Sequence, residues 1–205
     1  MIGKIKIYVR SCYPAGMTAL RKRLIQTYFI PGWAAQTVKD FEIVVLCHVN
    51  SQQELESLDW QGLNVTFIEV ASHELKDIRI NEQFKQSQQV WNMLQFRVDD
   101  DDYPSAEYLE KMMHLILYGQ GEPFLVSAHP TKHVLRTNKT YLSQTKWYCG
   151  KKPANNLCIF QKQPKYSVFE EHHPKMGKYF GNTGFITQEG FYMITIHKEN
   201  ILNHE

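Results

Sequence analysis

Gln95 to Met112 reads QFRVDDDDYPSAEYLEKM. An apolar run, Trp91 to Val98, ends in four consecutive aspartates, Asp99 to Asp102, and helical spacing resumes at Tyr108, Met112 and Leu115. Adjacent carboxylates repel one another, and solvent weakens that repulsion without removing it. A divalent cation turns it into attraction. Mg2+ and Mn2+ prefer oxygen ligands and typically take one or two carboxylates plus substrate phosphates. On an extended segment, Asp99 and Asp101 face one way and Asp100 and Asp102 the other. One pair can then meet a metal while the other is solvated or bonds to backbone or ribose. The plainer reading is an acidic helix N-terminus, with Pro104 in the first turn and Asp101 or Asp102 as cap. The two are compatible, since one aspartate can cap while others ligate.

The surroundings favour a ligand site. Upstream, Lys4 to Arg10, Glu42 to Cys47 and Leu63 to Val70 read as strands, and Trp91 to Val98 as a fourth. Between them, Ala19 to Ile30 carries a helical apolar face that Pro31 and Gly32 interrupt. Gln52 to Leu58 and Asn81 to Val90 read as further helices. Strands alternating with helices predict a mostly parallel α/β sheet with helices on both faces, of the Rossmann-like kind. In such sheets, carboxylates at the C-terminal end of a strand point into the ligand crevice. From Glu122 onward the pattern shifts to short extended runs, PFLVSA, HVLRT, NLCIFQ and FYMITIH, which predict antiparallel additions. The expected organisation is one domain over 1–205, with a nucleotide-binding half (1–118) and an acceptor and metal half (119–205).

The whole-chain totals bound the function. The 205 residues are 43% hydrophobic and 21% charged with a formal charge of +2, which fits a folded domain and offers no nucleic-acid footprint. No apolar run approaches the ~20 residues of a membrane span. Cys12, Cys47, Cys149 and Cys158 show no C-x-x-C spacing and read as free thiols in a reducing compartment. With no secretion signal at Met1, the expected location is the cytoplasm.

FRVDDDDYPSAEYLEKM resembles the D-x-D region of nucleotide-sugar glycosyltransferases of the GT-A fold, and is closest to the family labelled "putative rhamnosyltransferases". PGWAAQTVKDFEIVVLC, Pro31 to Cys47, is similar to the family's segment after the first helix. FYMITIHKENILN, Phe191 to Asn203, is similar to its closing element. The resemblance implies a metal-dependent transferase that moves a sugar from a nucleotide diphosphate sugar to a glycan or other hydroxyl acceptor, with inversion favoured. It places Asp99 and Asp101 at the D-x-D positions, followed by Asp102, holding Mn2+ or Mg2+ and the ribose. It makes His197 a late metal or diphosphate ligand, and puts Arg10 and Ser11 in the loop that contacts base and ribose.

Other candidates come from the residues themselves. Arg97 can pair with a phosphate bidentately or with a neighbouring aspartate. FEEHHPKM, Phe169 to Met176, concentrates Glu170, Glu171, His172 and His173. An acceptor hydroxyl needs a general base, usually a carboxylate. Glu171 is the first choice and Glu170 the second, with Asp77 and Glu82 behind them; a charged surface turn is the ordinary alternative. Two rival functions remain. Another metal-dependent phosphate enzyme, a nucleotidyltransferase or nuclease, would also need clustered carboxylates. A non-catalytic nucleotide-sugar-binding module would keep the fold alone.

Overall fold

The structure is a computed structural model that describes residues 2–118, 124–128, 131–134, 139–142, 156–163, 165–180, 182–186 and 191–196. Its first strand, β1 (Lys4–Ser11), pairs in parallel with β2 (Glu42–Cys47) on one side and β4 (Met93–Asp99) on the other. β3 (Val65–Glu69) extends the parallel set beyond β2. The apolar, β-branched run of β2 is buried along nearly its whole length, as expected of a strand covered on both faces.

The second half completes this sheet. β9 (Leu157–Gln161) lies antiparallel between β4 and β6 (Phe124–Ala128), and β10 (Asn182–Ile186) runs parallel to β6 at the edge. The order is β10-β6-β9-β4-β1-β2-β3, and β9 alone of these described strands runs against the rest. A smaller sheet joins β5 (Tyr103–Pro104), β11 (Tyr192–Ile196), β7 (Thr131–Val134) and β8 (Lys139–Leu142). The antiparallel additions are therefore present as expected, while β8 and β10 carried no clear signal in the sequence.

Strand alternation divides the core. Ile5, Ile7 and Val9 of β1 and Leu94, Phe96 and Val98 of β4 face one apolar layer, with Trp33, Tyr108 and Met112 from the helices. Tyr8, Val44, Leu46 and Ile159 face the other, beneath Ile78, Phe84 and Phe169. The helices over this second layer are α4 (Leu75–Ile80) and α5 (Glu82–Ser87), while α3 (Val49–Glu56) follows β2.

The first helix does not stop at Pro31. α1 (Ala19–Leu24) continues as a π-helical stretch, Ile25–Phe29, and then as α2 (Ile30–Ala34). Proline lacks an N–H, and its ring clashes with the carbonyl four residues back. The wider π winding, in which Ile30 N–H donates to Ile25 O, displaces the preceding carbonyls and lets the helix pass through. Gly32 does not break the helix either; it lets α2 approach β5. A Cβ there would stand 2.8 Å from Tyr103 Cβ and 3.1 Å from Pro104 Cδ. Gly32→Ala is therefore expected to cost about 1–3 kcal/mol, as overpacking does, read as a lower melting temperature. Unchanged melting would show that α2 and β5 separate freely.

Pro104 is likewise not in a helix. Tyr103–Pro104 forms β5, and α6 (Tyr108–Tyr118) starts later, with Tyr108 N–H donating to Ser105 O at 3.1 Å. The aspartates thus end a strand and do not cap the helix.

Candidate functional site

The order β3-β2-β1-β4 reverses direction at β1, so a crevice opens beyond the C-terminal ends of β1 and β4. Ligands bind at such switch points in α/β sheets. The register sets Arg10 opposite Asp99 at that edge, and Arg10 Nη2 donates to Asp99 Oδ1 at 3.2 Å. The β4 face that carries Asp99 also carries Gln95 and Arg97, alternating with the apolar Leu94, Phe96 and Val98.

The four aspartates do not alternate. β4 ends at Asp99, the chain turns at Asp100 and Asp101, and Asp102 N–H reaches back to Asp99 O at 3.4 Å. The turn brings Asp100 and Asp101 to one cation. Arg21 Nη1 donates to Asp101 Oδ2 at 2.7 Å and approaches Asp100 Oδ1 at 3.5 Å. Tyr13 OH and the Ser11 hydroxyl also hydrogen-bond Asp100. Asp102 Oδ1 accepts from Thr195 N–H at 3.1 Å, and Thr195 Oγ1 donates to Asp101 O at 2.7 Å. β11, the start of the closing element, therefore does reach the aspartates. His197, the residue singled out there, lies outside the described residues, as does Cys149; Cys12, Cys47 and Cys158 are buried free thiols.

Burial sets the electrostatics. Asp100, Asp101 and Asp102 are 3%, 4% and 3% exposed. Burial and the neighbouring Asp101 push Asp100 up to about 6, against Arg21, Tyr13 and Ser11. Asp102 is raised well above the usual carboxylate range by burial, then by Asp101 and Asp99, against the Thr195 N–H. Its second oxygen, Oδ2, has no hydrogen-bond partner among the described residues. Arg97, 2% exposed, is driven down to about 9 by burial and by Arg10, against Asp99. Its Nη1 donates to Glu171 O at 3.2 Å and its guanidinium lies over the Phe169 ring.

Asp100 carries a pH prediction. A carboxyl raised by folding contributes stability that is complete below its unfolded value near 4 and is lost as pH rises through about 6. Asparagine has no such loss. Asp100→Asn should therefore gain in melting temperature relative to wild type between pH 4.5 and pH 7.5; a difference independent of pH would contradict the raised value.

The structure places the glutamates differently from one another. Glu171 lies against the site through its carbonyl, held by Arg97, while its carboxylate accepts from His172 N–H and pairs with Lys178 at 3.1 Å. These contacts, His172 first, hold it below the usual glutamate range. Glu170 turns away towards Arg79 and borders an open cleft of about 310 Å³ between α4–α5 and Lys165–Ser167. Asp77 accepts from Ser72 and Glu82 pairs with Lys85, so neither is joined to the aspartates.

Sequence reasoning missed Tyr13, Arg21 and Thr195. Arg21 had a signal. Thr18 caps α1 by accepting from Arg21 N–H, which puts Arg21, Lys22 and Arg23 near the helix start with no acid there. Cations are disfavoured at that end of the helix dipole, so ALRKR departs from the local rule. Tyr13 and Thr195 had none.

None of the curated proteins compared by sequence matches the chain. Among solved structures, S. aureus TarS is similar at TM-score 0.59 and 14% identity, over 95% of this chain and 37% of that one. TarS 1-349 in complex with UDP-GlcNAc is similar at TM-score 0.60 and 14% identity, over 97% and 60%. The UDP complex gives 0.57 and 14%, over 95% and 61%. At that identity the likeness concerns the fold, and the chain spans 37% to 61% of these chains. The family model described as "Putative rhamnosyl transferase" matches residues 5–201, nearly the whole chain, and by that match the chain belongs to this family of glycosyltransferases.

Proposed function

We propose that the protein transfers a sugar from a nucleoside diphosphate sugar to an acceptor hydroxyl, with a divalent metal at the aspartate turn. The observation that carries this reading is the pairing of Arg10 with Asp99 at the β1–β4 switch point, with three further buried aspartates beside it. Family membership and the UDP and UDP-GlcNAc complexes of the TarS fold relatives support the donor class.

The residues fit a hard, oxygen-ligated cation. Among the described residues no three His, Cys, Asp or Glu side chains form a ready-made metal site. Mg2+ and Mn2+ do not need one, because they keep several waters and add substrate phosphate oxygens. The buried, unpartnered Asp102 Oδ2 is an orphan acceptor of the right chemistry, with Asp99 or Asp101 as its companion and His197 as a late ligand. A bound Mn2+ or Mg2+ would supply Lewis-acid neutralisation of the diphosphate leaving group.

The chain's own groups supply the rest. Arg10 and Arg97, on adjacent strands, bring two positive charges to the crevice, where Asp99 is the carboxylate that opposes them. Arg10, 24% exposed, can take a diphosphate bidentately, while the buried Arg97, bonded to the Glu171 carbonyl, adds its charge from beneath. Ser11, at the end of β1, belongs to the loop on the ribose and base side and holds Asp100 through its hydroxyl. Glu171, on the turn that Arg97 ties to β4, takes the acceptor proton as an ionised carboxylate. Glu170 is the second choice. Inversion follows the family resemblance. A cytoplasmic location accompanies this reading and agrees with three buried free thiols; no helix among the described residues is long and apolar enough to cross a membrane.

A panel of nucleotide sugars, each with Mn2+ or with EDTA, tests the donor class by thermal shift. A ligand that binds only the folded state raises its melting temperature by mass action. At least one nucleotide sugar should do so with Mn2+. A panel without any shift would refute the donor assignment.

A further inference from the structure

Arg21 sits where a metal's charge is needed. It is on α1, far in sequence from the aspartates, yet its Nη1 lies 2.7 Å from Asp101 Oδ2 and 3.5 Å from Asp100 Oδ1. All three side chains are largely withdrawn from water, at 12% exposure for Arg21, 5% for Asp100 and 6% for Asp101. The Tyr13 ring flanks the guanidinium at 5.8 Å, and its hydroxyl holds Asp100. The helix start gives Arg21 no reason to be there, since the dipole disfavours a cation at that end. Its partners explain its position.

We propose that Arg21 is an internal counter-cation that competes with the metal: it holds Asp100 and Asp101 while the donor is absent, and on donor binding yields them and turns to the diphosphate. This rests on the metal-dependent reading above. A bare metal ion that entered the aspartate turn would repel the guanidinium and take carboxylates that now pair with it, and breaking a buried ion pair is strongly unfavourable. A nucleoside diphosphate removes that cost, because it offers the displaced guanidinium a bidentate anionic partner. Metal and donor therefore enter together, and metal alone binds weakly. The same pairing offsets the repulsion between the adjacent Asp100 and Asp101.

The test is calorimetric titration of Mn2+ alone, and of UDP in saturating Mn2+, into wild type, Arg21→Gln and Arg21→Lys, with melting curves for each. Arg21→Gln should bind Mn2+ alone at least tenfold more tightly than wild type, because two carboxylates have lost their competitor. It should bind UDP with Mn2+ at least tenfold more weakly, because the diphosphate has lost its guanidinium. Arg21→Lys should fall between on both, since lysine keeps the charge and loses the fork geometry. A folded Arg21→Gln that binds Mn2+ alone no more tightly than wild type overturns the proposal. If Arg21→Gln does not melt cooperatively, Arg21→Lys decides, and unchanged or weaker Mn2+ affinity overturns it. Failure of the underlying reading looks different: wild type would then bind UDP equally well with and without Mn2+.

Discussion

Glu171→Gln is expected to lower sugar transfer by ~10²–10⁴-fold, the usual cost of losing a general base, while donor affinity stays at the wild-type value. Arg97 anchors the turn that carries Glu171. Its guanidinium, buried beneath Phe169, donates to the Glu171 carbonyl and so ties the Glu170–Glu171 turn to β4, two residues before Asp99. The Glu171 side chain remains partly exposed at 24%, with Lys178 beside it, whereas Glu170 faces Arg79. Glutamine preserves the shape and the His172 N–H contact but cannot accept a proton. A residue that acts only in chemistry changes turnover and leaves binding intact. Steady-state kinetics together with donor titration separate the two. Near-normal turnover would move the base to Glu170 and then to Asp102. Weak donor binding by both glutamine variants would make the turn part of the nucleotide site.

Asp102→Asn should weaken Mn2+-dependent nucleotide binding by at least tenfold, about 1.4 kcal/mol, with the fold retained. Asp102 holds β11 through Thr195 N–H to its Oδ1, a contact that an asparagine carbonyl reproduces. Burial disfavours its charge, so a neutral amide is tolerated at this position. What is lost is the orphan oxygen, Oδ2, as an anionic donor. Asp99→Asn and Asp101→Asn should fall in the same direction, since each removes an anionic oxygen that would accompany Asp102 at the metal. Titrations of UDP in Mn2+ and in EDTA read the effect. Unchanged metal-dependent affinity in all three variants would remove the aspartates from the metal role.

The parts of the site that were legible in sequence are those fixed by strand patterning. β1, β2 and β4 announce themselves as apolar runs, which put Asp99 at a strand end facing the ligand crevice; Arg10 was a candidate through the family resemblance, and its pairing with Asp99 emerged only from the folded register. Arg97 was legible as a charge inside a buried strand. The turn at Asp100 was not, because extended alternation is the default for a run that continues a strand. It took the folded neighbours to show that Asp100 and Asp101 share one arginine from α1. Such a contact depends on where α1 packs, which no local pattern encodes. The continuation through Pro31 failed for a related reason. Proline and glycine signal a break by propensity, and here π winding and the tight contact with Tyr103 and Pro104 override it.

The most direct test of the central claim is the product released from the donor that the panel identifies, measured for wild type with Mn2+ and with EDTA. The account predicts release of a nucleoside diphosphate that depends on Mn2+ and is lost in Asp102→Asn. Release that is undiminished in EDTA, or release of pyrophosphate or a nucleoside monophosphate in place of the diphosphate, would contradict it.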